Sequence, residues 1–264
     1  MVPVASIVCM AVSAVVAIGL PVGLFLGLRR TLGLRVVPMV VGVAVFIVFA
    51  LVLESLMHQV VLRPAPDGTI AMRATSPWLY VAYGALAAGV FEETGRLVGF
   101  TILKRRFRGV RTAVSYGIGH GGVEAIILVG ITMISDLVIS AMINNGSDFW
   151  LQQTAVVTPL TTEPSWMFLV AGGERVFAIV LHLSLSILVW MAVTHPKRRW
   201  LFPLAILLHA VSDVPAAMMQ AGLLANVAVV ELTTAVVSLA VAAYAVMWFR
   251  RAQTEERLAV DATV

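Results

Sequence analysis

The chain has 264 residues, of which 60% are hydrophobic and 12% are charged, and its formal net charge is +4. A soluble domain of this size carries about a quarter charged residues, so the composition excludes an ordinary water-soluble fold. The single cysteine, Cys9, excludes an intrachain disulfide and a cysteine-rich metal site.

Apolar runs of about 20 residues recur along the chain, and this length spans a hydrocarbon core of about 30 Å as a helix. The runs are continuous and do not alternate with period two, which argues against a β-barrel. We therefore predict one all-α domain over residues 1–264, a polytopic transmembrane helical bundle. Its seven predicted spans are, in chain order, about 3–28, 37–61, 78–103, 112–142, 166–193, 201–221 and 224–249.

Basic residues follow every second predicted span and are rare in the alternate loops. The clusters after spans one, three, five and seven are Arg29, Arg30 and Arg35; Lys104, Arg105, Arg106, Arg108 and Arg111; Lys197, Arg198 and Arg199; and Arg250, Arg251 and Arg257. The positive-inside rule then places the N-terminus outside and the C-terminus in the cytoplasm. Topology thus explains the net positive charge, and we expect a lipid bilayer, not nucleic acid, as the partner. We predict an integral protein of a bacterial or archaeal plasma membrane.

The first span carries Gly19, Gly23 and Gly27 at four-residue spacing. Glycines at this spacing are typical of a surface where another transmembrane helix packs closely. We interpret this stripe as a structural helix contact without chemistry.

Five predicted spans contain ionisable side chains, which cost at least a few kcal/mol in hydrocarbon and so need a partner and usually a function. In four of them Glu92, Glu93, His120, Glu124, His182 and His209 lie roughly 12–18 Å from the predicted cytoplasmic boundary, at about 1.5 Å per residue. The same four spans carry Arg96, Arg175 and Asp213; Arg175 lies with Glu174 nearer the outer third, where a structural ion pair and a role in shaping the site both stay open. Most of the pairs are spaced so that they share one helix face, which predicts a single buried polar site. For Glu54 and His58 of the fifth span we favour a structural contact between helices.

These motifs resemble a known set. Glu92-Glu93-Thr94-Gly95-Arg96 resembles the Glu-Glu-x-x-Arg element of the CPBP (CAAX protease and bacteriocin-processing) superfamily of intramembrane proteases. The segments 119–124, 174–182 and 209–213 resemble the later motifs of its YhfC branch. The resemblance covers about residues 78–221, the predicted catalytic core. It implies an endopeptidase that hydrolyses a membrane-embedded peptide or protein, with its water in a cavity open to the cytoplasmic half.

The resemblance also implies roles for the site residues. Glu92 would be the general base, Glu93 and Arg96 would hold its orientation and charge, and His182 would position water or substrate. His209 would lie in the element that supports the oxyanion. The family's last element often ends in Asn, whereas this chain has Asp213. Because an anionic Asp cannot donate a hydrogen bond, we expect Asp213 to orient His209.

The second motif has two interpretations. Tyr116 and His120 match an aromatic-x-x-x-His form, whereas Glu124 matches an acidic form found in PrsW-like members. Both His120 and Glu124 therefore stay candidates.

The favoured interpretation requires no cofactor. Zinc is the competing hypothesis, because His182 and His209 with a carboxylate, Glu92 or Glu124, would form an open three-ligand site. Two other functions stay open: a non-catalytic membrane scaffold related to the scaffold subunit of γ-secretase, and a proton- or cation-coupled transporter. The sequence does not indicate the substrate or an oligomeric state.

Overall fold

The computed structural model describes residues 1–261, and within this range the regular secondary structure is helical throughout. The predicted all-α fold is therefore confirmed. The helices are α1 (Val4–Leu32), α2 (Val36–Leu62), α3 (Ala71–Thr75), α4 (Pro77–Leu103), α5 (Arg111–Asn144), α6 (Asp148–Leu151), α7 (Thr154–Thr162), α8 (Trp166–Thr194), α9 (Leu201–Gln220) and α10 (Val227–Asp261).

The seven long helices follow the seven predicted spans, and the differences lie at their ends. Helix α1 continues past its arginines to Leu32 and stops at Gly33, whose φ of 64° is left-handed. Helix α10 continues past residue 249 to Asp261. Hydropathy marks where a span leaves the hydrocarbon, whereas helical hydrogen bonding can continue into water, so the sequence pattern ended α10 too early.

Six helices are long and apolar enough to cross a bilayer: α1, α2, α5, α8, α9 with the turn before it, and α10. The chain is thus an integral membrane protein. Helix α4 has 27 residues, but Glu92, Glu93 and Arg96 lower its hydropathy. It packs against α9, α2 and α8, and these neighbours bury its charged side chains. The count of seven spans and the orientation stay predictions.

All four basic clusters meet at one end of the bundle, which we call the basic end. Lys104 Nζ donates to Val193 O (3.2 Å), which joins the ends of α4 and α8. The backbone N–H of Val110 donates to Glu256 on α10 (2.8 Å), and Arg35 N donates to Ser115 Oγ (3.1 Å). At the opposite end, Val2 N donates to Asn144 Oδ1 (2.7 Å). The long helices thus alternate in direction, as the loop charges predict.

Two of the long helices change their hydrogen-bonding pattern in the middle of the bundle. Helix α2 is a π-helix over Ile47–Glu54, and α5 is a π-helix over Ile126–Ile131. π-Helical segments are rare in proteins, and those that occur are often found at functional sites. Both lie next to the ionisable residues of the bundle.

Helices α5 and α8 approach each other closely at a glycine. A Cβ atom on Gly121 would lie 2.9 Å from His182 Cβ, so a side chain there would push the two helices apart. The stripe of Gly19, Gly23 and Gly27 differs, because no heavy atom of the described residues lies within 4 Å of a Cβ built on any of the three. Among the described residues no other helix of the chain packs against this stripe, and its contact with another transmembrane helix stays a prediction.

We expect Gly121→Ala to lower the free energy of unfolding by about 1–3 kcal/mol, because the added methyl group overpacks the contact between α5 and α8. Equilibrium unfolding of the purified protein in detergent measures this change. Gly173→Ala is the matched control, since nothing lies within 4 Å of its added Cβ. Equal stability of the two variants would contradict the close contact.

Candidate active site

Helix α4 supplies two consecutive carboxylates that face different neighbours, because successive residues of an α-helix point about 100° apart. Glu92 faces α5, where its Oε2 lies 2.8 Å from His120 Nε2. Glu93 faces α9, where its Oε1 lies 2.8 Å from His209 Nδ1. Glu93 is fully buried, whereas Glu92 is 7% exposed.

Arg96, one turn after Glu93, neutralises this carboxylate. Its Nε lies 2.9 Å from Glu93 Oε2, and both side chains are completely buried. Its Nη1 donates to the backbone oxygen of His182 (2.9 Å) and to Ser186 Oγ (2.5 Å). Since Arg96 and His209 occupy both oxygens of Glu93, that carboxylate is not available to a water molecule.

The hydrogen bonds of His182 define its tautomer. Arg96 Nη2 lies 3.1 Å from His182 Nδ1, and because a guanidinium only donates, Nδ1 is the acceptor. The ring proton is therefore on Nε2, which contacts Glu124 Oε2. Glu124 also accepts from Arg175 Nη1 (2.8 Å), and Arg175 pairs with Glu174. Both nitrogens of His182 thus have partners within the protein.

His209 lies between three carboxylates. Its Nδ1 donates to Glu93, while its Nε2 lies 3.6 Å from Asp213 Oδ2 and 4.0 Å from Glu92 Oε1. From the sequence, we expected Asp213 to orient His209. The shorter contact is instead with Glu93, which the helix rotation turns toward α9. Asp213 is one-third exposed and accepts from Ser212 Oγ at 3.2 Å.

All eight predicted site residues belong to one contiguous network. Three imidazoles form its middle, with ring centroids 5.1 Å apart between His120 and His182 and 5.4 Å apart between His182 and His209. Phe46 packs edge-on against His120 at 5.3 Å. The two candidates for the second motif both belong to the network, because His120 contacts Glu92 and Glu124 contacts His182.

Two cavities reach this network. The smaller, of about 190 Å³, lies between the π-helical segments of α2 and α5 and is lined by Glu54, Glu92 and Glu124. The larger, of about 470 Å³, reaches from Asp213 and Glu54 to Gln220 and Pro64, at the end opposite the basic end.

The resemblance implied a cavity open to the cytoplasmic half, whereas the larger cavity faces the end opposite the basic end. Toward the basic end, buried side chains fill the space below the network, among them Phe100, Tyr116, Leu185 and Trp190. These residues are at most 3% exposed, and they leave the larger cavity facing the other end.

Sequence reasoning underestimated some residues of the site. Glu54 was interpreted as structural, yet it is buried and lines both cavities. His58 Nε2 lies 3.3 Å from Glu54 Oε1, and His58 Nδ1 lies 2.9 Å from Tyr83 OH. The position of Glu54 as an acid inside an apolar span was the available signal. No sequence signal pointed to Ser186, the partner of Arg96.

One group of side chains could hold a metal ion. Ligand atoms of Glu92, His120 and His182 lie within 4.8 Å of one another, and all three residues are buried. Glu92 and His182 were among the metal candidates from the sequence, His120 was not, and the other two candidates, His209 and Glu124, lie outside this group. Two imidazoles and a carboxylate fit a catalytic zinc site. The hydrogen bonding of His182 does not fit it, because Arg96 occupies the Nδ1 lone pair and a cation there would lie beside a guanidinium.

Comparison with known proteins gives the family. A family model described as "YhfC intramembrane metalloprotease" matches residues 15–234. The "Uncharacterized membrane protein YhfC" of Bacillus subtilis (strain 168) is 35% identical over 257 residues, which cover 94% of this chain and 96% of that protein. No solved structure matches the chain. The chain therefore belongs to the YhfC family, as the motifs indicated, while its place in the wider CPBP superfamily stays a prediction.

We expect Arg96→Met to lower the free energy of unfolding by about 3–5 kcal/mol, because it leaves the Glu93 carboxylate buried without a cation. The double variant Glu93→Gln, Arg96→Met is the matched comparison, and it should recover part of this loss because no unpaired charge remains. Equilibrium unfolding in detergent measures both. A cost below about 1 kcal/mol for Arg96→Met, typical of exposed ion pairs, would contradict the proposed burial.

Proposed function

We propose that this member of the YhfC family is an endopeptidase of the bacterial plasma membrane that hydrolyses a peptide bond of a membrane-embedded peptide or protein. One observation carries the proposal. Glu92 Oε2 is held by His120, whereas Oε1 has no hydrogen-bond partner among the described residues and lies at a cavity, 4.0 Å from His209 Nε2. A carboxylate held on one side and free on the other is suited to bind and deprotonate a water molecule.

The residues around Glu92 supply the other parts of peptide hydrolysis. Water gives a proton to Glu92 Oε1 as its oxygen attacks the scissile carbonyl carbon. A protonated His209 donates from Nε2 to the developing oxyanion, while its Nδ1–H stays on Glu93. Glu92 then transfers its proton to the leaving nitrogen, and the C–N bond breaks to give an amine and a carboxylate.

The larger cavity supports a route for the substrate. It extends from Asp213 past Gln220 and Tyr80, which are hydrogen-bonded to each other, to Pro64 and Ile70 in the loop between α2 and α3. A peptide that enters here would come from the end opposite the basic end, which the loop charges predict to be outside the cell.

The scaffold and transporter hypotheses explain less of this geometry. A scaffold has no need for a carboxylate oxygen that is buried, unpaired and open to a cavity. A transporter must open its polar site to both sides of the membrane in turn. The tightly packed layer of Phe100, Tyr116 and Trp190 separates this site from the basic end and does not favour such a path.

The family description as a metalloprotease raises the alternative of metal-assisted hydrolysis. Glu92, His120 and His182 would hold the ion, and a bound divalent metal would supply Lewis-acid activation of water. His182 Nδ1 would then have to give up its hydrogen bond from Arg96. We propose the mechanism that keeps this hydrogen bond, in which the chain's own groups activate the water.

We expect Glu92→Gln to lower the rate of cleavage by about 10²–10⁴-fold, the usual contribution of a positioned general base. New N-termini in membrane proteins are mapped by mass spectrometry in cells that express the native chain or the variant, and a peptide with one mapped site is then tested with reconstituted protein. Glu231→Gln is the control, a carboxylate substitution on α10, outside the network. Cleavage that persists in Glu92→Gln would refute the role of Glu92, and a partner that co-purifies with both forms uncleaved would favour the scaffold.

We expect the purified, active protein to carry no stoichiometric transition metal and to stay active in a chelator. Elemental analysis by mass spectrometry measures the metal content, with His120→Ala and His209→Ala as the matched pair. Zinc that is lost in His120→Ala and retained in His209→Ala would overturn the metal-free mechanism and establish the site of Glu92, His120 and His182.

A further inference from the structure

The basic end holds a second kind of cavity, remote from the network around Glu92. It measures about 510 Å³ and forms where the turn after α1, the loop after α4 and the end of α10 meet. Four arginines from these three segments line it: Arg35, Arg108, Arg111 and Arg257. We call this space the arginine cavity.

The guanidinium groups of the arginine cavity have no carboxylate partners within the described chain. None of the four arginines forms an ion pair with a described residue, although Glu256 and Asp261 also line the space. Glu256 Oε1 accepts the backbone N–H of Val110 at 2.8 Å, and with Asp261 it sets two carboxylates against four arginines in the lining. The cavity therefore keeps an excess of positive charge that faces open space.

Local contacts direct these side chains toward a common space. Arg35 lies over the ring of Phe107, with Cζ 5.5 Å from the ring centroid, and its backbone N–H donates to Ser115 Oγ. Arg111 Nη1 lies 3.9 Å from a Cβ built on Gly33, so this guanidinium reaches the turn between α1 and α2. Arg111 is also the first residue of α5, where the helix dipole favours an anion.

Two neighbouring residues show that this arrangement is selective. Arg105 and Arg106 belong to the same loop and are exposed like the four arginines of the cavity, but they do not line it. Arg105 and Arg106 thus face the membrane surface or solvent. Arg108 and Arg111 line the arginine cavity together with Arg35 and Arg257. A general attraction to the membrane would not require this convergence.

We propose that the arginine cavity binds a phosphate group, with the headgroup of an anionic phospholipid as its source. Arginine matches phosphate because its planar fork donates two parallel hydrogen bonds. The cavity lies where α1, α2 and α5 begin or end, the level at which lipid phosphates lie beside a membrane protein. The arginine cavity lies at the other end of the bundle from the substrate cavity, so this proposal does not depend on whether the chain is a peptidase.

The test measures lipid binding by the full chain in nanodiscs of phosphatidylcholine that contain a spin-labelled phosphatidylglycerol or a spin-labelled phosphatidylcholine. We expect the native chain to immobilise the anionic lipid in preference to the zwitterionic one. The double variant Arg108→Gln, Arg111→Gln should weaken this binding by roughly tenfold for each arginine removed, because each loses charge-assisted hydrogen bonds to the phosphate. The matched control, Arg105→Gln, Arg106→Gln, removes the same charge from the same loop and should retain most of it.

The outcomes separate the two sources of phosphate and the competing explanation. Inorganic phosphate that displaces the labelled lipid at millimolar concentration identifies the free anion as a ligand of the same site. Equal loss in both double variants, or no preference for the anionic lipid, would overturn the proposal in favour of general surface attraction. If the first double variant does not fold, the single variant Arg257→Gln on α10 is measured in its place, and native-like binding there would also overturn it.

Discussion

The buried pair of Arg96 and Glu93 is the interaction on which the rest of the site depends. A guanidinium with no exposed surface needs partners inside the protein, and Arg96 forms an ion pair with Glu93 and hydrogen bonds with His182 and Ser186. These contacts tie α4 to α8, while Glu93 ties α4 to α9 through His209. Arg96 thus fixes the position of His182 directly and that of His209 through Glu93. The same ion pair leaves Glu93 unavailable as a base.

What remains reactive follows from this arrangement. Glu93 Oε2 lies 2.9 Å from Arg96 Nε, and the two oxygens of Glu124 contact His182 and Arg175. The remaining oxygen of Glu92 has no cation so close, because its nearest ion-pair contact is with His209 Nε2 at 4.0 Å, and Glu92 lines the smaller cavity. Two neighbours in the sequence therefore differ in function because a rotation of about 100° along the helix gives them different surroundings.

The sequence predicted the seven long helices and the meeting of Glu92, His120, His182 and His209, because hydropathy and the rise per residue set the depth of a side chain in a span. Depth does not set rotation about the helix axis. That rotation depends on packing at positions such as Gly121. It places Glu93, and not Asp213, at the shorter distance from His209. The sequence likewise marks the glycine stripe of α1 as a helix contact without indicating its partner, which is not another helix among the described residues.

Water must reach a polar network in the middle of a membrane without forming a continuous path across the bilayer. The π-helical segments of α2 and α5 stand on either side of the smaller cavity, so the irregular turns lie where space is needed. Glu54 lines both cavities and gives water a polar partner in each. On the other side, Phe100, Tyr116, Leu185 and Trp190 form a packed apolar layer. Water that arrives from one side is sufficient for hydrolysis, whereas transport would require this packed layer to open in a second conformation.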